Sequence, residues 1–252
     1  MASQNKNLVK KFRPRISDVL ADKQGLGLSW RVFKIISEFV AGFEFLKRYD
    51  AAVTFFGSAR HDEGHHVYEE ARKLAAECAT MGFAVITGGG PGVMEAANQG
   101  ATEAGGESIG LNIQLPREQR MNKYVKHGQP FHYFFTRKVM LTYASEVYVY
   151  FPGGYGTLDE LLELMTLVQT KKICRVPIIL VNKAFWTPLL RWFANDLLKE
   201  YKTISPDDLK IYYLVDNAVE ATALIKKLIK EGKIGGAECP VEYDESSDIR
   251  RV

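Results

Sequence analysis

Short runs of consecutive apolar residues alternate along the chain with longer stretches in which apolar residues recur every three or four positions. The runs are "AAVTFFG" (51–57), "FAVIT" (83–87), "SIGLNI" (108–113), "EVYVYF" (146–151), "VPIILV" (176–181) and "IYYLV" (211–215). Each has the length of a strand and is rich in β-branched and aromatic residues, so each predicts a strand buried on both faces. Helical spacing fills the gaps at 67–82, 93–105, 137–145, 157–170 and 217–231, the first of these stopped by Gly82. "HYFF" (132–135) predicts a further short strand, and residues 114–130, with Pro116 and Pro130, a long loop. Two late helices are expected after residue 181, the second opening at Ser205-Pro206-Asp207. Strands alternating with helices in this way imply βαβ units and a parallel sheet covered by helices on both faces.

The two ends read differently. Residues 1 to about 27 are polar and broken by Pro14, Gly25 and Gly27, which predicts a flexible arm. From Ser29 onward Trp30, Phe33, Ile36, Val40, Phe43 and Leu46 fall at helical spacing, an amphipathic helix whose apolar stripe is expected to pack into a core. The predicted organisation is therefore an arm and helix at 1–49, an α/β domain at 50–234, and a disordered tail at 235–252.

Composition narrows the partners. Charges of 33 basic against 30 acidic residues leave a net +3, too mild for the concentrated basic surface that nucleic acid requires. No stretch approaches the ~20 apolar residues of a membrane span, and the basic N-terminus lacks the apolar centre of a secretory signal. Cys78, Cys174 and Cys239 are odd in number, widely spaced and without a CxxC pair. Neither a disulfide framework nor a zinc site is expected, and a reducing, cytoplasmic compartment fits. The five histidines show no ligand spacing, so no metal is predicted.

The candidate chemistry lies where strands end. "GSAR" (57–60), "GGGPG" (88–92) and "PGGYGT" (152–157) each follow a predicted strand, the edge at which parallel α/β sheets bind ligands. Glycines there let backbone N–H groups approach an anion, and the following helix adds its dipole. Neither long loop carries the Gly-Lys pair of GxxxxGK[ST], and neither fits GxGxxG, because the sixth residues are Val93 and Asp159. A mononucleotide is the ligand left by exclusion. Thr157 and Glu160 also fit the S/T-x-x-E capping box, an ordinary helix start. Arg137 and Lys138 fall in the first turn of a predicted helix, where the dipole disfavours cations unless an anion offsets it. Glu95, in another first turn, is readable simply as a residue compatible with the dipole.

"GGGPGVMEAANQGA", "TRKVM" and "PGGYGTLDE", in this order and spacing, resemble the LONELY GUY (LOG) family, over roughly residues 50–231. Its members are often mislabelled as lysine decarboxylases. The resemblance implies a Rossmann-like, doubly wound fold. It also implies a nucleoside 5′-monophosphate phosphoribohydrolase, cleaving the N-glycosidic bond to free base and ribose 5-phosphate, in a homodimer or higher assembly with sites near the subunit interface. Carried over, it makes Glu160 and Arg137 catalytic and gives the phosphate to Gly153, Gly154, Gly156 and Thr157 with Gly88, Gly89 and Gly90. Ser58, Arg60, Lys138 and Glu95 are further candidates for substrate contact. Phe134 and Phe135 stand where cytokinin-activating members carry Met-His, and Glu95 where they tend to lack a glutamate. The base is thus open between an AMP-like purine and a cytokinin nucleotide. N-glycoside cleavage passes through an oxocarbenium-like state, for which a carboxylate near the ribose is the expected catalyst. No cofactor is expected: a decarboxylase would need pyridoxal phosphate on a lysine, and the "TKK" at 170–172 has no chemistry attached. The alternative reading is a non-catalytic binder of a nucleotide or of a molybdenum-type cofactor, which needs the grip but not the carboxylate.

Overall fold

The computed structural model describes residues 28–114 and 121–234. The expected arm before residue 28 and tail from 235 lie outside them. The described residues begin with α1 (Leu28–Leu46) and continue through β1 (Ala52–Phe56), α2 (His66–Thr80), β2 (Ala84–Thr87), α3 (Val93–Glu103), β3 (Ser108–Ile113) and β4 (His127–Phe131). The second half follows as α4 (Phe134–Thr142), β5 (Val147–Tyr150), α5 (Tyr155–Gln169), β6 (Ile178–Val181), α6 (Lys183–Trp192), β7 (Tyr212–Val215) and α7 (Ala218–Lys230). All seven strands are parallel, in the order β4-β3-β2-β1-β5-β6-β7. The chain winds outward from β1 twice, once to each edge, so the fold is the expected doubly wound α/β sheet with its topological switch between β1 and β5.

Alternate residues of each central strand supply two separate cores. Val53, Phe55, Val147 and Val149 pack with α2, α3 and α7, whereas Ala52, Phe56, Tyr148 and Tyr150 pack with α4, α5 and Trp186 of α6. Period-two alternation on a sheet covered on both faces explains the unbroken apolar runs. Each such side chain taken fully out of water contributes about 1.5–3 kcal/mol.

Four expectations change. "HYFF" is not a strand: β4 is the segment just before it, "HGQPF", and α4 already starts at Phe134. Pro130 is tolerated there because β4 is an edge strand, with β3 as its sole partner among the described residues. The second late helix shrinks to a single 3₁₀ turn at Asp208–Lys210, while α6 runs on as a π-helical stretch, Phe193–Glu200. Most of the apolar stripe of α1 faces outward: Trp30, Phe33, Ile36, Val40 and Phe43 are exposed, and Leu46 of the same stripe packs on the core. The inward face is instead Ile35, Glu38, Phe39, Gly42 and Phe45, packed toward α4 and β4. Cys78 is a buried free thiol, whereas Cys174 is disulfide-bonded, which the cysteine spacing did not suggest. Among the described residues no helix is long and apolar enough to cross a membrane.

Candidate active site

The register sets Val53 opposite Val147 and Phe56 opposite Tyr150, so β1 and β5 end level and their loops emerge side by side. The Ser58 N–H donates to the Pro152 carbonyl at 3.0 Å, and the Ser58 carbonyl accepts from the Val93 N–H at 3.0 Å. The loop after β1 is thereby stitched to the loop after β5 on one side and to the start of α3 on the other. Gly92 makes this possible, with φ of +71° and a backbone so close to Ser58 that a Cβ would sit 2.3 Å from its carbonyl oxygen. No side chain could occupy that position without displacing the loop.

Above this junction lies a cleft of about 710 Å³, a volume suited to a small organic ligand. Ser58, Arg60, Gly88, Arg137, Gly154 and Gly156 line it, together with Thr157 and Glu160. Eight of the residues expected from the sequence thus meet at one sheet edge. The others do not reach the lining. Gly89 and Gly90 are buried behind it: the Gly89 N–H donates to Thr87 Oγ1, and both carbonyls accept from Asn122. Gly153 backs onto Thr157 and borders a smaller neighbouring cavity. Glu95 is half-buried on α3 outside the cleft. Lys138 turns away to three carboxylates, at 2.7 Å from Asp159, 2.7 Å from Glu163 and 3.5 Å from Glu160. Burial works against its charge, but the bonds to Asp159 and Glu163 outweigh it and hold its pKa above the ordinary value.

The start of α5 settles the capping question. The helix begins at Tyr155 with Gly154 as its N-cap and no side-chain cap. Thr157 is already the third helical residue and Glu160 the sixth, so they do not form a capping box. The first-turn N–H groups of α5 accordingly have no capping partner where Gly154 and Gly156 border the cleft, and a Cβ on either glycine would meet only open space. Uncapped N–H groups and the positive end of the dipole together make an anion site.

Glu160 sits one turn further in and is only 7% exposed. Burial pushes its pKa up to about 7; Lys138 and Arg137 pull it down, and Glu163 and Asp159 push it up. Arg137 is itself largely buried, its guanidinium 5.0 Å over the Phe134 ring and its Nε–H without a hydrogen-bond partner. Burial lowers its pKa, with Glu160 opposing. An acid of perturbed pKa beside a guanidinium with one buried, unbonded N–H, in a cleft ending at a helix N-terminus, is a constellation able to hold a phosphate and manage a proton.

Sequence reasoning missed the apolar wall made by Phe56, Met94, Ile113, Phe134 and Leu141. Phe134, Arg137 and Leu141 are spaced i, i+3, i+7, so they share one face of α4, a signal hidden when the helix is started at Arg137. Tyr155, at the mouth of the cleft, is 93% exposed. Among the described residues no lysine lines the cleft and no group of three His, Cys, Asp or Glu side chains is placed to hold a metal.

Known proteins resemble this chain in both sequence and fold. A family model described as "possible lysine decarboxylase" matches residues 94–225. Cytokinin riboside 5′-monophosphate phosphoribohydrolase LOG1 of Arabidopsis thaliana is 31% identical over 166 residues, 64% of this chain and 74% of its own. The enzyme of the same description named LOG, from Oryza sativa subsp. japonica, is 26% identical over 192 residues, 75% and 77% of the two chains. Among solved structures, the molybdenum cofactor carrier protein of Chlamydomonas reinhardtii shares the fold with a TM-score of 0.55 at 23% identity, covering 71% of this chain and 98% of its own. The molybdenum cofactor binding protein of Rippkaea orientalis has a TM-score of 0.51 at 22% identity, covering 71% and 96%. Matched by the family model across just over half its length, and by relatives whose names share one activity, the chain belongs to the LOG family.

Proposed function

We propose that the protein hydrolyses the N-glycosidic bond of a nucleoside 5′-monophosphate, releasing the free base and ribose 5-phosphate. The observation that carries this reading is the buried Glu160 carboxyl, with its pKa raised to about 7, lining the same cleft as Arg137, whose Nε–H has no hydrogen-bond partner. A carrier needs the grip but has no use for such a carboxylate. The names of the relatives support the same reaction class.

In this mechanism the uncapped start of α5 and the cation of Arg137 hold the 5′-phosphate, supplying binding energy remote from the reacting carbon. The C1′–N bond of the ribose breaks as positive charge builds on the sugar, and the Glu160 carboxylate stabilises that charge. Glu160 also takes a proton from the attacking water, whose oxygen bonds to C1′; the departing base takes up a proton from solvent on its freed nitrogen, and Glu160 returns its own to solvent. The apolar wall at Phe134 and Leu141 and the exposed ring of Tyr155 suit a flat aromatic base.

The test is incubation with AMP, GMP, CMP and an isopentenyladenine monophosphate, with base and ribose 5-phosphate separated by chromatography. Release from a purine monophosphate is the expected result. Tight binding of one monophosphate without any release would replace this reading with that of a carrier or sensor.

The protein is proposed to act as a homodimer or higher homo-oligomer. The support is the outward row of Trp30, Phe33, Ile36, Val40 and Phe43 on α1, with Phe135 and Tyr143 exposed on the neighbouring α4. Light scattering is expected to return at least twice the 28.4 kDa of one chain; a monomeric mass at micromolar concentration would remove this part of the proposal.

A further inference from the structure

The helix that precedes the α/β domain is joined to the start of α4 through one carboxylate. Glu38 of α1 accepts from the His132 N–H at 2.9 Å, and at its other oxygen from the Tyr133 N–H at 3.2 Å and the Thr136 hydroxyl at 2.6 Å. These donors are the turn that enters α4 and the first turn of α4 itself. Tyr133, the N-cap, offers no side-chain bond of its own. A carboxylate here satisfies orphan N–H groups and faces the positive end of the helix dipole. Its bonds are charge-assisted, and so among the stronger ones available.

Two other features fit α1 to this place. One turn beyond Glu38, Gly42 is buried so tightly that a Cβ would lie 2.5 Å from Met140 Sδ and 3.2 Å from the Phe131 ring. At the other end, the Arg31 guanidinium lies 5.8 Å over the Tyr133 ring. Arg31, Glu38 and Gly42 fall on one face of α1, and that face packs on α4, its entry turn and the end of β4.

Arg137 directly follows Thr136. Its Nε–H has no hydrogen-bond partner, and its guanidinium rests on Phe134, also from the first turn of α4. Its aim into the cleft is therefore set by the helix that carries it. We infer that Glu38 is a positioning residue for the hydrolase reaction, capping α4 from a separate helix and thereby holding Arg137 where the phosphate is gripped. Glu38 lies outside residues 94–225 of the family match, and no motif in the sequence points to it. The inference rests on the phosphoribohydrolase reading.

The experiment is a double-mutant cycle in kcat/KM on the best monophosphate, with Glu38→Ala, Arg137→Met and both together, beside Glu38→Gln. Hydrogen exchange of the 131–138 segment is followed in each variant. Glu38→Ala is expected to lower kcat/KM about tenfold, mainly through KM, the size expected when a charge-assisted bond stops ordering a binding group. Exchange at 131–138 should quicken while β5 keeps its protection. Glu38→Gln, which keeps one acceptor oxygen, should fall between, and it serves as the comparison if the alanine variant folds poorly. In the Arg137→Met background Glu38→Ala should have no further effect, since its action passes through the arginine. An additive cycle overturns the inference, as does faster exchange at 131–138 with kcat/KM within twofold of wild type. Wild-type protein that releases base from no monophosphate sinks the hydrolase reading and this inference with it; turnover with an additive cycle sinks the inference alone.

Discussion

Glu160→Gln is expected to lower kcat for monophosphate hydrolysis by about 10²–10⁴-fold, the range for loss of a positioned acid–base group, and yet to stabilise the fold at alkaline pH. The carboxyl has a pKa of about 7 in the folded protein against an ordinary 4.5. A raised carboxyl pKa favours the fold while the group is protonated. That contribution is complete below pH 4.5 and is lost as the pH climbs through 7. Above pH 7 the wild type holds a buried carboxylate that the unfolded chain solvates better, by about 3 kcal/mol. Glutamine has the same shape and no charge to bury. Thermal melts should therefore show the variant more stable than wild type at pH 8 and equal to it at pH 4. In wild type, kcat/KM should fall as the pH drops below about 7, because the base works ionised. A variant with wild-type turnover would remove Glu160 from the chemistry. One with the wild-type pH dependence of stability would show that its carboxyl is not the buried acid described.

Arg137→Met is the companion, with an expected loss of about 10²–10³-fold in kcat/KM, the rate equivalent of one buried charge-assisted contact to phosphate. Methionine keeps an apolar stem against Phe134 and removes a guanidinium whose Nε–H is buried and unpaired. An unsatisfied buried donor is unfavourable in the free protein, so the melting temperature should stay level or rise while activity collapses. Arg137 also pulls the Glu160 pKa down, so the acid limb of the residual activity should move to higher pH. A parallel fall in melting temperature and activity would instead mark Arg137 as a packing residue.

The centre of the fold was legible because its strands are buried on both faces. "VYVYF" and "FAVIT" leave no other reading, and the glycines that follow them announce the cleft. The edge was not. β4 is "HGQPF", whose glycine and proline speak against a strand, and only its position beside β3 makes it one. α4 was misplaced by three residues because Phe134 and Phe135 favour strands locally, and the carboxylate that caps the helix comes from Glu38, with no signal nearby. Thr157 and Glu160 show the reverse failure. Their local signature predicts a cap, but Gly154 starts α5 earlier and releases both side chains, Glu160 into the cleft. Lys138 is a candidate for substrate contact by its place beside Arg137, yet one step around the helix aims it at Asp159 and Glu163. The spacing on α1 marks an amphipathic helix, yet of that stripe Leu46 packs on the core while Trp30, Phe33, Ile36, Val40 and Phe43 face outward, since periodicity names a face without saying what covers it.

The hydrogen bonds from Ser58 to Pro152 and from Val93 to Ser58 also bear on how the protein comes into being. They join segments far apart in the chain but adjacent in the sheet, across the strand pairs β1–β5 and β1–β2. A chain still on the ribosome has the first and second loops long before the third exists. Until residues 152–160 have emerged, Ser58 has no carbonyl to bind and Glu160 no cleft to enter. On the proposed function, nucleotide recognition would therefore be acquired late and in one step, when β5 inserts beside β1. A nascent fragment ending before β5 should be unable to sequester nucleotide, and the cell meets the binding site only as part of a nearly finished sheet.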